Sequence, residues 1–389
     1  VRPHHLFNFV VCIPVAVSQF QIAWFLRRDW DRRFSGPLWI AARSLLYLMM
    51  LVTCGGVVID LFGLQYQGKL VSPLVSYYSV AFAIIWGFSS LFAVNVYALS
   101  RLMLRPAMIS TGRRAVVQSF ATATMAAPFV IAGFGAFIER TAFEVKEVDF
   151  PIPGLHPDLE GLRIAQISDL HVSPFLTVRD LARVVDMTNE LRPRLTLVTG
   201  DLITQQGDPL DATIRELGRL RAEAGLLGCL GNHEIYARSE DYTTKEGAKI
   251  GLDFLRGKAV PLKWGNGVLN VAGVDFQRFS DRTRYLPGAD KLVLPGATNL
   301  LLSHNPDVFP ASVQAGYDAM VGGHTHGGQV TVEILNQTAN LARFVTPWVA
   351  GLYRLENRTC YVNSGIGTIG MPVRFGAPPE ITLLRLHKA

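Results

Sequence analysis

A chain of 389 residues, 49% of them hydrophobic, is too long for one ordinary domain and too apolar for a purely soluble one. Its four cysteines include no close-spaced pair, which excludes a disulfide framework and a zinc-finger spacing. Much of the formal charge of +6 is arginine set between apolar stretches (Arg27, Arg28, Arg32 and Arg33; then Arg101, Arg105, Arg113 and Arg114), so it reads as membrane topology, and no basic patch interleaved with aromatics suggests nucleic acid.

Four apolar stretches come first, at about residues 6–26, 38–58, 74–99 and 115–138. Each is near the ~20 residues that cross a bilayer core. The first is the weakest, because Ser18, Gln19 and Gln21 interrupt it; it lacks the basic start and small-residue cleavage site of a signal peptide and is expected to stay. The sequence starts at Val1 rather than Met, which leaves open a piece upstream. Arg43, inside the second stretch, is expected to snorkel to the headgroups. No other strongly ionisable residue lies mid-span, which argues against a transporter. Arginine is concentrated in the first and third inter-span loops, while residues 60–73 carry one lysine and one aspartate. By the positive-inside rule the first and third loops are cytoplasmic, which puts everything after Ile138 on the outer face.

From Phe143 the composition changes. The chain is read as a helical anchor (1–140), an edge strand and linker (141–161) and a second domain (162–389). Phe143 and Val145, then Val148 and Phe150, shift register once and predict a bulged edge strand. Thereafter short apolar runs at 163–167, 195–198, 226–230, 300–302 and 319–321 read as buried strands. Amphipathic helices are expected at 177–191, 210–222 and 244–255, with another opened by Asn305-Pro306-Asp307. After His326 the pattern turns mostly to strands, at 329–334, 359–363 and 381–386. Cys229, in an apolar run, reads as a small buried hydrophobe.

Each of the five buried runs ends in Asp, Asn or His. In order these are Asp169 and His171, Asp201, Asn232 and His233, His304, and the pair His324 and His326 between paired glycines. An Asp-x-His at an emerging strand end can put both side chains on one side, because residues two apart share a face. Carboxylate oxygen with imidazole nitrogen suits Zn, Fe or Mn better than Ca or Mg. Asp201 is the natural bridging carboxylate, and Asn232 adds a neutral oxygen without repelling a phosphate.

The ordered set Asp-x-His, Gly-Asp, Gly-Asn-His-Glu, His, Gly-His-x-His resembles the calcineurin-like metallophosphoesterases over about residues 143–389. The resemblance implies an α/β fold, a four-layer α-β-β-α sandwich with two mixed sheets, here preceded by an all-α transmembrane anchor of about four helices. It implies two divalent or trivalent transition-metal ions (Mn, Fe or Zn). Asp169, His171, Asp201 and His326 would hold one, and Asp201, Asn232, His304 and His324 the other. His233 would be the catalytic proton donor, and Glu234 an orienting residue rather than a ligand. The purple acid branch, with a tyrosine ligand just after its Gly-Asp motif, is disfavoured, because Leu202-Ile203-Thr204 stands there and His171 is present.

The run Tyr361 to Thr368 resembles the closing loop of the family, and the stretch to Arg374, Phe375 and Pro379 is similar to its membrane-tethered bacterial branch. Arg374 and Asn363 are candidates for contacting a substrate phosphate, with a surface ion pair the alternative for Arg374. Tyr236 and Trp264 are read as rim or core packing, and His4, His5, His156 and His387 as surface residues. The expected activity is hydrolysis of a phosphodiester or pyrophosphate, with lipid-linked and cell-envelope substrates both open, by a protein of the bacterial inner membrane whose catalytic domain faces outward. The alternatives are a UDP-2,3-diacylglucosamine diphosphatase of lipid A synthesis and a catalytically silent metal-binding sensor or scaffold. The oligomeric state is left open.

Overall fold

The computed structural model describes residues 3–32, 34–61, 72–103, 110–278, 285–334 and 337–389; most of the expected 60–73 loop, with Arg33 and Arg105, lies outside them. The chain divides into two compact units, Val1–Ala136 with Gly370–Pro372, and Phe137–Ile369 with Val373–Ala389.

The first unit holds four long helices, α1 (Pro3–Phe25), α2 (Pro37–Leu61), α3 (Pro73–Met103) and α4 (Thr111–Phe137). Among the described residues three helices are long and apolar enough to cross a membrane, within Pro37–Ile59, Leu74–Met103 and Gly112–Thr141. The first expected span takes in residues 6–12, whose side chains lie outside the described residues. Its interrupting polar residues turn inward: Ser18 and Gln19 are buried, Gln19 Nε2 donates to Ser90 Oγ at 3.0 Å, and Trp86 Nε1 donates to Gln19 Oε1 at 3.1 Å. Buried polar side chains keep such partners because an unpaired one costs about 1–3 kcal/mol. Arg43 does not simply snorkel; its Nη1 lies 3.2 Å from Asp31 Oδ1.

In chain order the second unit contains β1 (Glu144–Ile152), β2 (Arg163–Ile167), α5 (Val178–Glu190), β3 (Leu195–Val198), α6 (Leu210–Leu217), β4 (Leu226–Gly228), α7 (Asn232–Ala237), α8 (Glu240–Lys249), β5 (Leu252–Phe254), β6 (Lys258–Trp264), β7 (Gly267–Gly273), β8 (Thr298–Leu302), α9 (Phe309–Gln314), β9 (Ala319–Gly322), β10 (Thr331–Ile334), β11 (Gln337–Asn340), β12 (Gly351–Leu355), β13 (Arg358–Val362) and β14 (Glu380–Lys388). One mixed sheet has the order β1-β14-β2-β3-β4-β5, a second β12-β13-β9-β8-β7-β6, and β10 pairs with β11 in a separate hairpin.

Strand alternation builds the layers. Ile164, Leu195, Leu197, Leu300, Leu302, Ala319, Val321 and Leu384 fill the space between the two sheets. Their neighbours of opposite parity face outward: Ile167, Val198 and Ile381 pack against Leu181, Val184 and Val185 of α5 and Ile214 of α6. Leu301 and Met320 pack against Phe309 of α9. The result is the expected α-β-β-α sandwich. Each fully buried leucine contributes about 1.5–3 kcal/mol by transfer from water.

Several local expectations fail for identifiable reasons. β1 pairs with β14 in parallel without interruption from Glu144↔Glu380 to Ile152↔Lys388, so it carries no bulge. Only its second half is apolar on one face: Phe150 and Ile152 are buried, whereas Val145 is exposed. The expected 244–255 helix stops at Lys249, because Gly251 at φ +80° turns the chain into β5. The expected 210–222 helix ends early, at Leu217. Residues 258–273, which show no readable signal, form the β6–β7 hairpin, with Pro261 tolerated because β6 is an edge strand.

Candidate active site

β2, β3 and β4 are parallel neighbours in the first sheet, and β8 and β9 in the second. Each is followed within four residues by one of the singled-out side chains, so the C-terminal ends of both sheets open onto one site. Gln166 ties the sheets together just beneath it, donating from Nε2 to Gly322 O at 2.9 Å and to Thr199 Oγ1 at 3.0 Å.

Asp169, His171 and His326 bring ligand atoms within 4.8 Å of one another, and so do His171, Asp201 and His233, and Asp201, His304 and His324. Asp201 belongs to two of these groups: its Oδ2 lies 3.5 Å from His171 Nε2 and 3.0 Å from His304 Nε2. His326 Nε2 and His171 Nε2 are 3.1 Å apart, as are His324 Nδ1 and His304 Nε2. Ring nitrogens aimed at one another at that separation, beside carboxylate oxygens, are donors converging on common points. Among the described residues no donor reaches Asn232 Oδ1, which is buried. An orphaned buried acceptor beside such a set fits a bound cation. Carboxylate oxygens with imidazole nitrogens fit a nitrogen-loving transition metal.

The side chains do not converge by strand alternation. Asp169, His171, Asp201, His324 and His326 have φ of 52°, 46°, 55°, 74° and 52°. Non-glycine residues in the left-handed region cost about 1–3 kcal/mol each and persist where the surroundings over-determine them. Here backbone bonds do so: Asp169 N–H donates to Gly200 O, His171 N–H to Asp201 O, and His324 N–H to the Asp169 carboxylate at 3.0 Å. Two glycines keep the loops close. A Cβ on Gly231 would meet Asp201 Oδ1 at 2.1 Å, and one on Gly323 would meet Asp169 Oδ2 at 2.2 Å.

Burial pushes His324 down to about 3 and holds His171 and His326 well below the usual imidazole range, which keeps all three neutral. At His304 burial is overcome by the charges of Asp201 and Asp169, which raise it to about 10. Positive charge is therefore stabilised between those carboxylates. Burial raises Asp169 to about 6, whereas Asp201, against its own burial, is held well below the usual range by His304 and His233.

Second partners orient each ring. His304 Nδ1 bonds Thr199 O at 2.7 Å, His233 Nδ1 bonds Thr204 O, and His171 Nδ1 lies 3.3 Å from Thr204 Oγ1. Phe276 packs against both His304 and His324. Glu234 is fully buried, and its oxygens accept from Asp201 N, Leu202 N and Gly231 N at 2.7–3.0 Å. Thr199, Thr204 and Phe276 escaped the sequence reading. Backbone acceptors leave no trace in side-chain identity; Thr199, just before Gly200-Asp201, and Thr204, three residues past Asp201, stand beside a motif, whereas Phe276 stands beside none.

The two expected phosphate contacts are not at the surface of the site. Arg374 is fully buried and donates to the carbonyls of Gly367, Ala377, Ser364 and Gly365 at 2.6–3.1 Å, so its guanidinium is consumed in closing that loop. Neither a substrate contact nor a surface ion pair describes it. Asn363 is also buried, donating to Thr382 Oγ1 and accepting from Gly365 N. Tyr236 is 51% exposed with its ring edge-on to His233, at the rim. Trp264 packs on the inter-sheet core. His156 and His387 are partly exposed and pair with Asp158, and with Asp149 and Glu160; the side chains of His4 and His5 fall outside the described residues.

Residues 162–328 match the profile of the calcineurin-like phosphoesterase family. A transmembrane protein with metallophosphoesterase domain from Danio rerio is 30% identical over 273 residues, 67% of this chain and 61% of that protein. An uncharacterized metallophosphoesterase of Campylobacter jejuni is 30% identical over 247 residues, 62% of this chain and 63% of its own. The chain thus spans under two thirds of the length of these relatives. UDP-2,3-diacylglucosamine pyrophosphatase LpxG of Chlamydia muridarum is 27% identical over 322 residues, 68% of this chain and 95% of that protein.

Proposed function

We propose, from the premise that residues 162–328 carry a calcineurin-like phosphoesterase domain, that the protein is a membrane-anchored hydrolase of phosphodiesters or pyrophosphates working with two transition-metal ions. The observation that carries this reading is the set of converging ligand atoms around Asp201, with Asn232 Oδ1 buried and unpaired beside it. Asp169, His171, Asp201 and His326 would hold one ion, and Asp201, Asn232, His304 and His324 the other. Mn, Fe or Zn, when bound, supplies Lewis acidity and charge neutralisation toward phosphate oxygens.

The remaining work falls to this chain's own groups. His233 has Nδ1–H committed to the Thr204 carbonyl, so the proton handed to the departing oxygen is the Nε2–H of its imidazolium form, which leaves the neutral ring. Its backbone N–H donates to Asp201 Oδ1 at 2.9 Å, which fixes the ring relative to the bridging carboxylate. Glu234 holds the Asp201 and Gly231 loops in register from behind. Exposed Tyr236 borders the entrance.

The arginine distribution supports a catalytic domain on the outer face of a bacterial inner membrane, where envelope substrates, lipid-linked or soluble, would be in reach. A second reading, cleavage of UDP-2,3-diacylglucosamine, is favoured by the match over 95% of LpxG, and it calls for the opposite orientation. The full-length chain, reconstituted with Mn and assayed on bis-p-nitrophenyl phosphate and nucleotide-linked lipids, tests the proposal. Hydrolysis abolished by chelation and restored by Mn is expected. Tight Mn binding without hydrolysis of any member would instead make the protein a silent metal-binding sensor or scaffold.

A further inference from the structure

Asp208 lies outside the metal-ligand cluster, half-buried, just ahead of α6. Gly207, at φ +97°, turns the chain back so that Asp208 N–H donates to Gln205 O at 3.3 Å. The carboxylate then meets the segment that precedes it. Its Oδ2 accepts from Thr204 N and from Gln205 N, both at 2.9 Å. Hydrogen bonds from N–H groups to an ionised acceptor are roughly twice as strong as neutral ones, so this carboxylate holds two successive peptide units firmly.

Thr204 touches two rings of the site through different atoms. Its carbonyl accepts from His233 Nδ1, and its Oγ1 lies 3.3 Å from His171 Nδ1. The carbonyl of Thr204 and the N–H of Gln205 belong to one peptide unit, which is planar and trans, no cis bond being found among the described residues. In such a unit the C=O and the N–H point in opposite directions. Asp208 therefore grips from behind the same plane that presents an acceptor to His233 in front. Without that grip the plane is free to tilt about the soft dihedrals on either side of it, and the imidazole would tilt with it.

We infer that Asp208 is a positioning residue for proton transfer: through the Thr204–Gln205 peptide it fixes the His233 ring so that Nε2–H faces the departing oxygen. No proton crosses the peptide, and Asp208 acts on orientation alone. The inference rests on the proposed role of His233 as proton donor.

The test uses the full-length, Mn-reconstituted chain and compares Asp208→Ala with Asp208→Asn, whose amide oxygen accepts from the same two N–H groups. For an alkyl leaving group Asp208→Ala is expected to lower kcat about tenfold, the scale of a lost orienting partner, with KM and Mn content unchanged. For p-nitrophenoxide, which departs without needing a proton, the loss is expected to stay under about twofold. Asp208→Asn is expected to remain within about threefold of wild type on both esters. Equal losses on the two leaving groups, or a loss that follows Mn content, would leave Asp208 a merely structural residue. No loss on the alkyl ester would remove it from the reaction. Should Asp208→Ala not fold, Asp208→Glu, which keeps the charge but displaces the oxygens, is expected to show the same selective loss, and a wild-type kcat in it would count against the clamp. A second readout needs no turnover. In metal-free protein labelled with 15N-histidine, the Nδ1–H resonance of His233, assigned by its absence in His233→Ala, is expected to be sharp in the wild type and in Asp208→Asn and broadened away in Asp208→Ala. An unchanged resonance in Asp208→Ala overturns the inference. A wild type that hydrolyses no ester would end the proposed function, while the resonance would still decide whether Asp208 holds the ring.

Discussion

Two glycine-rich regions at the same end of the sandwich use their polar residues in opposite ways. The turns after β2, β3 and β9 hold Asp169, His171, Asp201, His324 and His326 at positive φ with their side chains facing one another. The loop between β13 and β14 turns Asn363 and Arg374 inward, where they are spent on its own carbonyls, an amide N–H and Thr382. In the first region backbone bonds hold side chains in place for use; in the second, side chains hold the backbone. Residue type does not distinguish the two roles, but the bonding of the surrounding main chain does.

The largest effect that would sharpen this contrast is expected from Asp201→Asn. One carboxylate stands 3.0 Å from His304 and 3.5 Å from His171, so the change should weaken binding of both ions and take activity below detection. Two ions retained with near-normal turnover would remove the bridging role. Next, His233→Ala should lower turnover about 100-fold or more with metal content unchanged. The loss should shrink for esters with acidic leaving groups, and equal losses on p-nitrophenyl and alkyl esters would show that His233 is not the proton donor. The smallest catalytic effect, and the one that separates the regions, is expected from Arg374→Met. Removing a buried charge that closes a loop should cost about 3 kcal/mol of stability, seen as a lowered denaturation midpoint. KM of the protein that remains folded should change little, whereas a large rise in KM without lost stability would return Arg374 to the substrate.

The sequence made the first region legible and the second misleading. β2 and β3 were readable to the residue because both faces of a central parallel strand are apolar, and the change from Ile167 or Val198 to polar residues marks where the strand leaves the core. The ligand candidates followed from those ends. Their left-handed backbone did not, since Asp and His rarely adopt it without contacts distant in sequence, such as Asp169 with His324. Arg374 was misjudged because an arginine is usually exposed, and only the cluster of carbonyls from Ser364 to Ala377 makes its burial tolerable. In the helical unit, Ser18 and Gln19, which interrupt the first apolar stretch, are buried, and the partners of Gln19, Ser90 and Trp86, lie some seventy residues away.

The central claim, that the strand-end residues hold two ions which share Asp201, is tested most directly by the metal content and Mn(II) electron paramagnetic resonance of the full-length chain after chelation and reconstitution. The account predicts two ions per chain with a spin-coupled signal, lost in Asp201→Asn. A chain that hydrolyses phosphodiesters at full rate with a single, uncoupled ion would contradict it.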